Sequence, residues 1–242
     1  MTYRCVDLET TGLHDDVPTG IVEAGWCDVR YDIIHDPLSY LVNCEIPVSI
    51  GARAVHHISD AMVAGAIAPD QAAARMMDGM TEDDFFCAHN IDHERKYFGG
   101  GALPWICTYK TSLRIWPDAP GHKLMELAYH LKIDEAEDFD LGLALPLHRA
   151  AGDAYVCAHL LRRILKEGVK IEQLVRWSSG PALVYMCFLR KHKGKPWSQV
   201  AREDRSYLEW IISDKCDLKD RDILATVKYW LKQTAPQPSG GN

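Results

Sequence analysis

Three strand-like segments follow one another early in the chain, at residues 3–8, 20–29 and 38–46, and the connections between them are too short for helical crossovers. They can pair only as an antiparallel meander. Helical patterning then takes over. Residues 69–80 are rich in Ala and Met, 85–88 form a short apolar strand, and 110–116 and 123–131 read as helices. The best amphipathic helix is 153–166. Ala154, Cys157, Leu160, Leu161, Ile164 and Leu165 fall near the 3.6 period, Arg162, Arg163 and Lys166 lie opposite, and Gly168 ends it. A meander followed by strands alternating with helices gives an α/β fold, a mixed sheet covered on its faces.

The pattern breaks near Ser178 to Pro181, and the texture changes beyond it to Arg190, Lys191, His192, Lys193 and Lys195, then Trp197, Tyr207, Trp210 and Trp230. This predicts a main domain over 1–178, a small basic and aromatic module over 181–232, and a disordered tail over 233–242 rich in Pro, Gly and Ser. With 47% apolar and 25% charged residues, the chain is neither disordered, collagenous nor a small disulfide scaffold. Eight cysteines with no Cys-x-x-Cys pair argue against a zinc ribbon and a secreted disulfide framework, and read as reduced, mostly buried thiols. No apolar run approaches a membrane span, and Met1 to Thr10 lacks the basic-then-apolar pattern of a signal, so the expected compartment is the cytosol. Nothing in the residues specifies an oligomeric state. The net charge of −7 means that a nucleic acid could be held only by a local basic patch or by bridging cations.

Asp7 and Glu9 stand two apart on the first strand, so both side chains leave one face while Val6 and Leu8 point into a core. Two adjacent carboxylates repel, and a hard divalent cation between them relieves the repulsion. They have company. His89-Asn90 ends the second short strand and opens a helix with Asp92 and Glu94, and His148 precedes Asp153 by five residues. Five helical positions would set those two side chains about 140° apart, so they converge only if His148 lies in the loop and Asp153 one turn inside the helix.

Asp7-Leu8-Glu9-Thr10-Thr11-Gly12-Leu13, the His89-Asn90 segment, and His148-Arg149-Ala150 with Asp153 resemble the three motifs of the DnaQ-like 3'-to-5' exonucleases, the four-carboxylate, histidine-containing branch of the ribonuclease H-like fold. Residues 55–59 and 61–63 are similar to that branch too. Trp105-Ile106-Cys107-Thr108, Gly194-Lys195, Ala201-Arg202-Glu203-Asp204 and Tyr207-Leu208-Glu209-Trp210 narrow the resemblance to one group within it and extend it to about residue 231. There is one departure. The family writes His-Asn-x-x-Phe-Asp at the second motif, and this chain reads His89-Asn90-Ile91-Asp92-His93-Glu94. Register favours Glu94 as the ligand, with Asp92 as the competitor.

The resemblance implies a ribonuclease H-like fold that hydrolyses DNA from the 3' end to nucleoside 5'-monophosphates, preferring single strands, with two divalent ions, Mg²⁺ or Mn²⁺, as cofactors. It implies that Asp7 bridges both ions, that Glu9 and Asp153 hold the one that activates water, and that the second-motif carboxylate supports the other. His148 would take the water's proton, a task suited to an imidazole. Substrate contacts are expected from Thr10, Leu13 and His14 at the first motif, from Asn90, and from Lys193 and Lys195 in the basic run. Of the adjacent His56 and His57, one is expected to pack and the other to touch substrate, His56 being the candidate. The alternatives are a 3'-trimming exoribonuclease of the same fold and a non-catalytic nucleic-acid-binding module.

Overall fold

The computed structural model describes residues 1–12 and 18–234. Its strands are β1 (Thr2–Thr10), β2 (Ile21–Arg30), β3 (Ile33–Ile34), β4 (Leu38–Leu41), β5 (Phe85–Ala88) and β6 (Trp105–Cys107). The helices are α1 (Ile50–His56), α2 (Asp60–Val63), α3 (Pro69–Met77), α4 (Ile91–Tyr97), α5 (Thr108–Ile115), α6 (Leu124–His130), α7 (Leu141–Ala144), α8 (Ala150–Leu165) and α9 (Ile171–Ser179). Beyond them come α10 (Trp197–Glu203), α11 (Arg205–Ile211) and α12 (Arg221–Gln233).

The sheet runs β3-β2-β1-β5-β6, with β4 also pairing β2. β1 is antiparallel to β2 and parallel to β5, which is parallel to β6. This is the expected mixed sheet, with two differences. Residues 105–107 form a strand that periodicity alone did not reveal, because three apolar residues carry no period. The third meander strand stops at Leu41 instead of running to residue 46. Asn43 Oδ1 accepts the Glu45 N–H at 3.0 Å and Glu45 turns into the left-handed region, so an Asx turn ends the ladder.

The period of two divides β1 between two cores. Tyr3 and Cys5 pack with Cys27, Cys87 and the Leu160–Leu161 face of α8, while Val6 and Leu8 pack with Met76, Phe86, Ile91 and Trp105 on the other side. Six of the eight cysteines are buried and all are free. Among the described residues, no helix is long and apolar enough to cross a membrane.

The chain after residue 181 builds its own apolar cluster from Trp197, Val200, Leu208, Ile211, Val227 and Leu231. Trp197 is fully buried there. α12 continues through Gln233, inside the span read as tail, and the rest of that tail from residue 235 lies outside the described residues.

Candidate active site

Asp7 and Glu9 leave β1 on the side that carries α8. What brings α8 so near is position 25. Gly25 pairs with Asp7 across the sheet, and a Cβ there would lie 2.4 Å from the Ala150 carbonyl carbon and 2.5 Å from the Ala151 nitrogen. Without that side chain the first turn of α8 rests on the sheet backbone and lowers Asp153 onto the end of β1. One ligand oxygen from each of Asp7, Glu9 and Asp153 lies within 4.8 Å of the others.

The start of α8 is fastened by a residue the sequence reading missed. Glu23, 1% exposed on β2, receives Arg149 Nε and Nη2 at 2.8 Å each, the Ala150 N–H at 3.1 Å and the Ser39 hydroxyl at 2.9 Å. Burial pushes its carboxyl up, but Arg149 and the Ala150 N–H outweigh that and hold it below the usual range. Glu23 therefore serves as the N-cap that Arg149 does not supply, and the helix begins at Ala150, three residues before the expected start. A lone acid within the apolar run Ile21-Val22-Glu23-Ala24 was the available signal.

His148 sits in the loop before α8 with φ of 59°, and Asp153 lies in the first turn. Asp153 accepts the His148 backbone N–H, and the His148 charge opposes the rise of its carboxyl. At the second motif, Glu94 is buried and Asp92 is not. Asp92 instead pairs with the buried Lys110 ammonium at 2.7 Å. Glu94 raises the Asp7 carboxyl by repulsion, and Glu94 Oε2 is buried without a hydrogen-bond partner.

All four groups are pushed upward. Asp7 rises well above the ordinary range through burial, then repulsion from Asp153, Glu9 and Glu94. Burial, then Asp153 and Glu23, lift Glu9 to about 7. Glu94 reaches about 8, chiefly through burial, with Asp92 and Glu9 adding to it. Asp153 reaches about 6, burial outweighing the His148 charge. Oxygen-only donors, mutual repulsion and one orphaned buried oxygen make a set that a hard divalent cation would satisfy.

Beside Glu9 opens a pocket of 330 Å³ with walls from Leu8, Thr10, Ala52, Val55, His56 and His93. His56 belongs to the wall, but both ring nitrogens are engaged. Nε2 meets the Thr10 carbonyl at 3.2 Å and Nδ1 accepts the Ile58 N–H at 2.9 Å. His56 is therefore buried with both nitrogens engaged while it lines the pocket, and the neighbouring His57 is exposed at the end of α1. His93 is a pocket residue missed from sequence, standing where the family pattern has Phe and bonded to the Leu8 carbonyl. His89 is structural, bound to Thr108 Oγ1 and the His122 carbonyl, and burial takes it to about 4. Asn90 lines a different cleft, of 680 Å³, with Tyr109, His122 and Tyr185. Lys193 and Lys195 line neither, and Lys195 pairs with Glu203 at 2.8 Å. Leu13 and His14 lie outside the described residues.

Comparison with known proteins gives a consistent picture. The family model described as exonuclease matches residues 5–161. Exodeoxyribonuclease 10 of Escherichia coli strain K12 is 31% identical over 232 residues, 96% of this chain and 99% of that protein. Among solved structures, exonuclease X in complex with 5' overhanging duplex DNA is similar at a TM-score of 0.63 and 32% identity, over 73% of this chain and 99% of that one. It is the group that the 105–108 segment and the C-terminal motifs resemble. The nuclease domain of 3'hExo, a DEDDh family member bound to rAMP, shares the fold at a TM-score of 0.54 and 18% identity, over 69% of this chain and 92% of that one.

Proposed function

The chain belongs to the exonuclease family; on that premise we propose that it is a metal-dependent 3'-to-5' exonuclease that hydrolyses DNA, single strands before duplexes, to nucleoside 5'-monophosphates. DNA is favoured over RNA by the exodeoxyribonuclease relative and by the DNA complex of the similar structure. The observation that carries the reading is the convergence of Asp7, Glu9 and Asp153 within 4.8 Å, with the orphaned Glu94 carboxyl in electrostatic reach.

Asp7, Glu9 and Asp153 would hold the cations, Mg²⁺ or Mn²⁺, and Glu94 would support them. A bound pair of such ions supplies Lewis-acid stabilisation of the attacking and leaving oxygens. The remaining work falls to the chain. The pocket beside Glu9 takes the terminal nucleoside between Leu8, Ala52 and Val55, which sets the phosphodiester over the carboxylates and keeps bulk water from the base. His93, held by the Leu8 carbonyl, presents a polar edge to that nucleoside. A ring nitrogen of His148, exposed beside Asp153, receives the proton of the attacking water and releases it to solvent. The Glu23–Arg149 pair keeps that loop in position.

Directional digestion tests this. Matched DNA and RNA oligonucleotides, labelled at the 5' end, are given single- and double-stranded with Mg²⁺, with Mn²⁺ and with chelator. A ladder shortening from the 3' end of DNA, absent with chelator, is the expected result. Faster loss of RNA would make the exoribonuclease alternative correct, and no release under any metal would leave a binding module.

A further inference from the structure

Residues 189–219 hold eight Lys and Arg against five Asp and Glu, a net charge of +3 in a chain whose total is −7. Three of those cations are spent locally, Lys191 on Asp204, Lys195 on Glu203 and Arg205 on Glu209. Arg190, Lys193, Arg202, Lys215 and Lys219 have no ion-pair partner among the described residues. Alongside this charge stands an aromatic column. Lys191 Nζ lies 4.9 Å from the centre of the Tyr207 ring, Tyr207 and Trp210 stack at 5.8 Å with planes 18° apart, and Trp210 is 45% exposed. Asp204 fixes the base of the column, receiving Lys191 Nζ at 2.6 Å, His192 Nε2 at 2.9 Å and Ser206 Oγ at 2.9 Å. A groove of 770 Å³ runs past it, lined by Arg190, Lys191, Tyr207, Trp210, Leu218 and one acid, Asp217. It shares no residue with the pocket beside Glu9.

We propose that this groove is a second nucleic-acid site, which holds the single-stranded DNA of the substrate away from the end being cut. A base stacks on the open face of Trp210 and the backbone lies against Arg190 and the unpaired lysines. Aromatic faces beside surplus positive charge are the combination that single strands bind without regard to sequence. The identity of the strand rests on the nuclease reading above. Relative to the sequence expectation, the contact loses Lys195, which is paired with Glu203, and gains Arg190, Tyr207 and Trp210.

The test uses the full chain and a dye-labelled 20-nucleotide oligo-dT. Binding is followed by fluorescence anisotropy with EDTA present, so that the strand is not cut. Trp210→Ala weakens binding about 5- to 100-fold and Trp210→Phe restores most of it. Arg190→Ala, at an exposed position, lowers the slope of log affinity against log salt by about 0.7. In cleavage assays with Mg²⁺, the KM penalty of Trp210→Ala falls on the 20-mer and spares a trinucleotide. Unchanged affinity in both variants overturns the proposal, as does an equal penalty on long and short substrates. If the wild type binds oligo-dT through Trp210 but cuts nothing, the nuclease reading fails and the groove stands; if it cuts normally while the variants bind normally, the groove alone fails.

Discussion

At the end of β1, Asp7, Glu9, Asp153 and Glu94 crowd together and every one of them is driven toward its protonated form. In the C-terminal helices acids meet bases instead, with Asp204 between Lys191 and His192, Glu203 on Lys195 and Glu209 on Arg205. Asp204 is accordingly held below the usual carboxylate range by those donors. Both regions are rich in charge, yet only one carries electrostatic strain. Strain of that kind persists where a ligand relieves it, whereas exposed pairs relieve themselves and contribute little. The contrast tells the candidate cation site from a charged surface without reference to the sequence motifs.

The largest effect that would break the contrast is at Asp7. Asp7→Asn lowers kcat by on the order of 10³-fold or more, since several kcal/mol of charge stabilisation leave with the ligand, while the metal-free variant melts higher than the parent because one repelled group is gone. Near-normal turnover would mean the cluster is not the catalytic site. His148→Ala costs about 10²- to 10⁴-fold in rate. A loss below tenfold would assign the proton to another group.

The second motif sharpens the comparison further, because it holds one carboxylate of each kind. Glu94→Gln lowers activity about 10- to 100-fold, as for a group that supports a metal through its outer contacts. Asp92→Ala leaves turnover per folded molecule nearly intact but destabilises the fold by about 1–3 kcal/mol, since it leaves the buried Lys110 ammonium with only the Ser178 carbonyl at 3.4 Å. Paired melts and rates on the two variants decide it, and an Asp92 change that abolishes cleavage without unfolding would reverse the ligand assignment.

Titration gives a smaller, global effect. A carboxyl raised in the fold binds its proton more tightly folded than unfolded. The native state therefore carries the extra protons between the ordinary range near 4 and the Glu94 value of about 8, and stability falls as pH rises through that window. Metal-free protein melts at least about 5 °C lower at pH 8 than at pH 5, and saturating Mg²⁺ removes most of the difference. Calorimetry in EDTA that shows a flat profile would contradict the crowding. The smallest effect is in the module, where Lys195→Ala moves the melting point by less than about 2 °C. A tenfold drop in oligonucleotide affinity in that variant would return strand binding to the basic run.

The sequence made the local half of this site readable. Alternation put Asp7 and Glu9 on one face of a strand, the five-residue gap required a loop position for His148 if it was to meet Asp153, and register with the resembled family's second motif favoured Glu94 over Asp92. The first two of those statements depend on backbone geometry over a few residues. The unread half depends on partners far along the chain. Glu23 becomes a helix cap only because β2 delivers it to Ala150, 127 positions away. Asp92 is neutralised by a lysine 18 positions on, and His56 is spent on a carbonyl 46 positions back. The lysines after Leu189 were visible as charge, but Asp204 and Glu203, which absorb two of them, reach them only through the turn at Gly194, whose φ is +83°.

Gly25 carries a consequence for anyone who would alter this protein. The carboxylates proposed to hold the ions do not by themselves set the width of the gap between them; that dimension depends on Gly25 of the adjacent strand, whose missing side chain lets the first turn of α8 come down on the sheet. It acts as a spacer of zero thickness, and any side chain introduced there would work as a shim, lifting one jaw of the clamp while leaving every tooth in place.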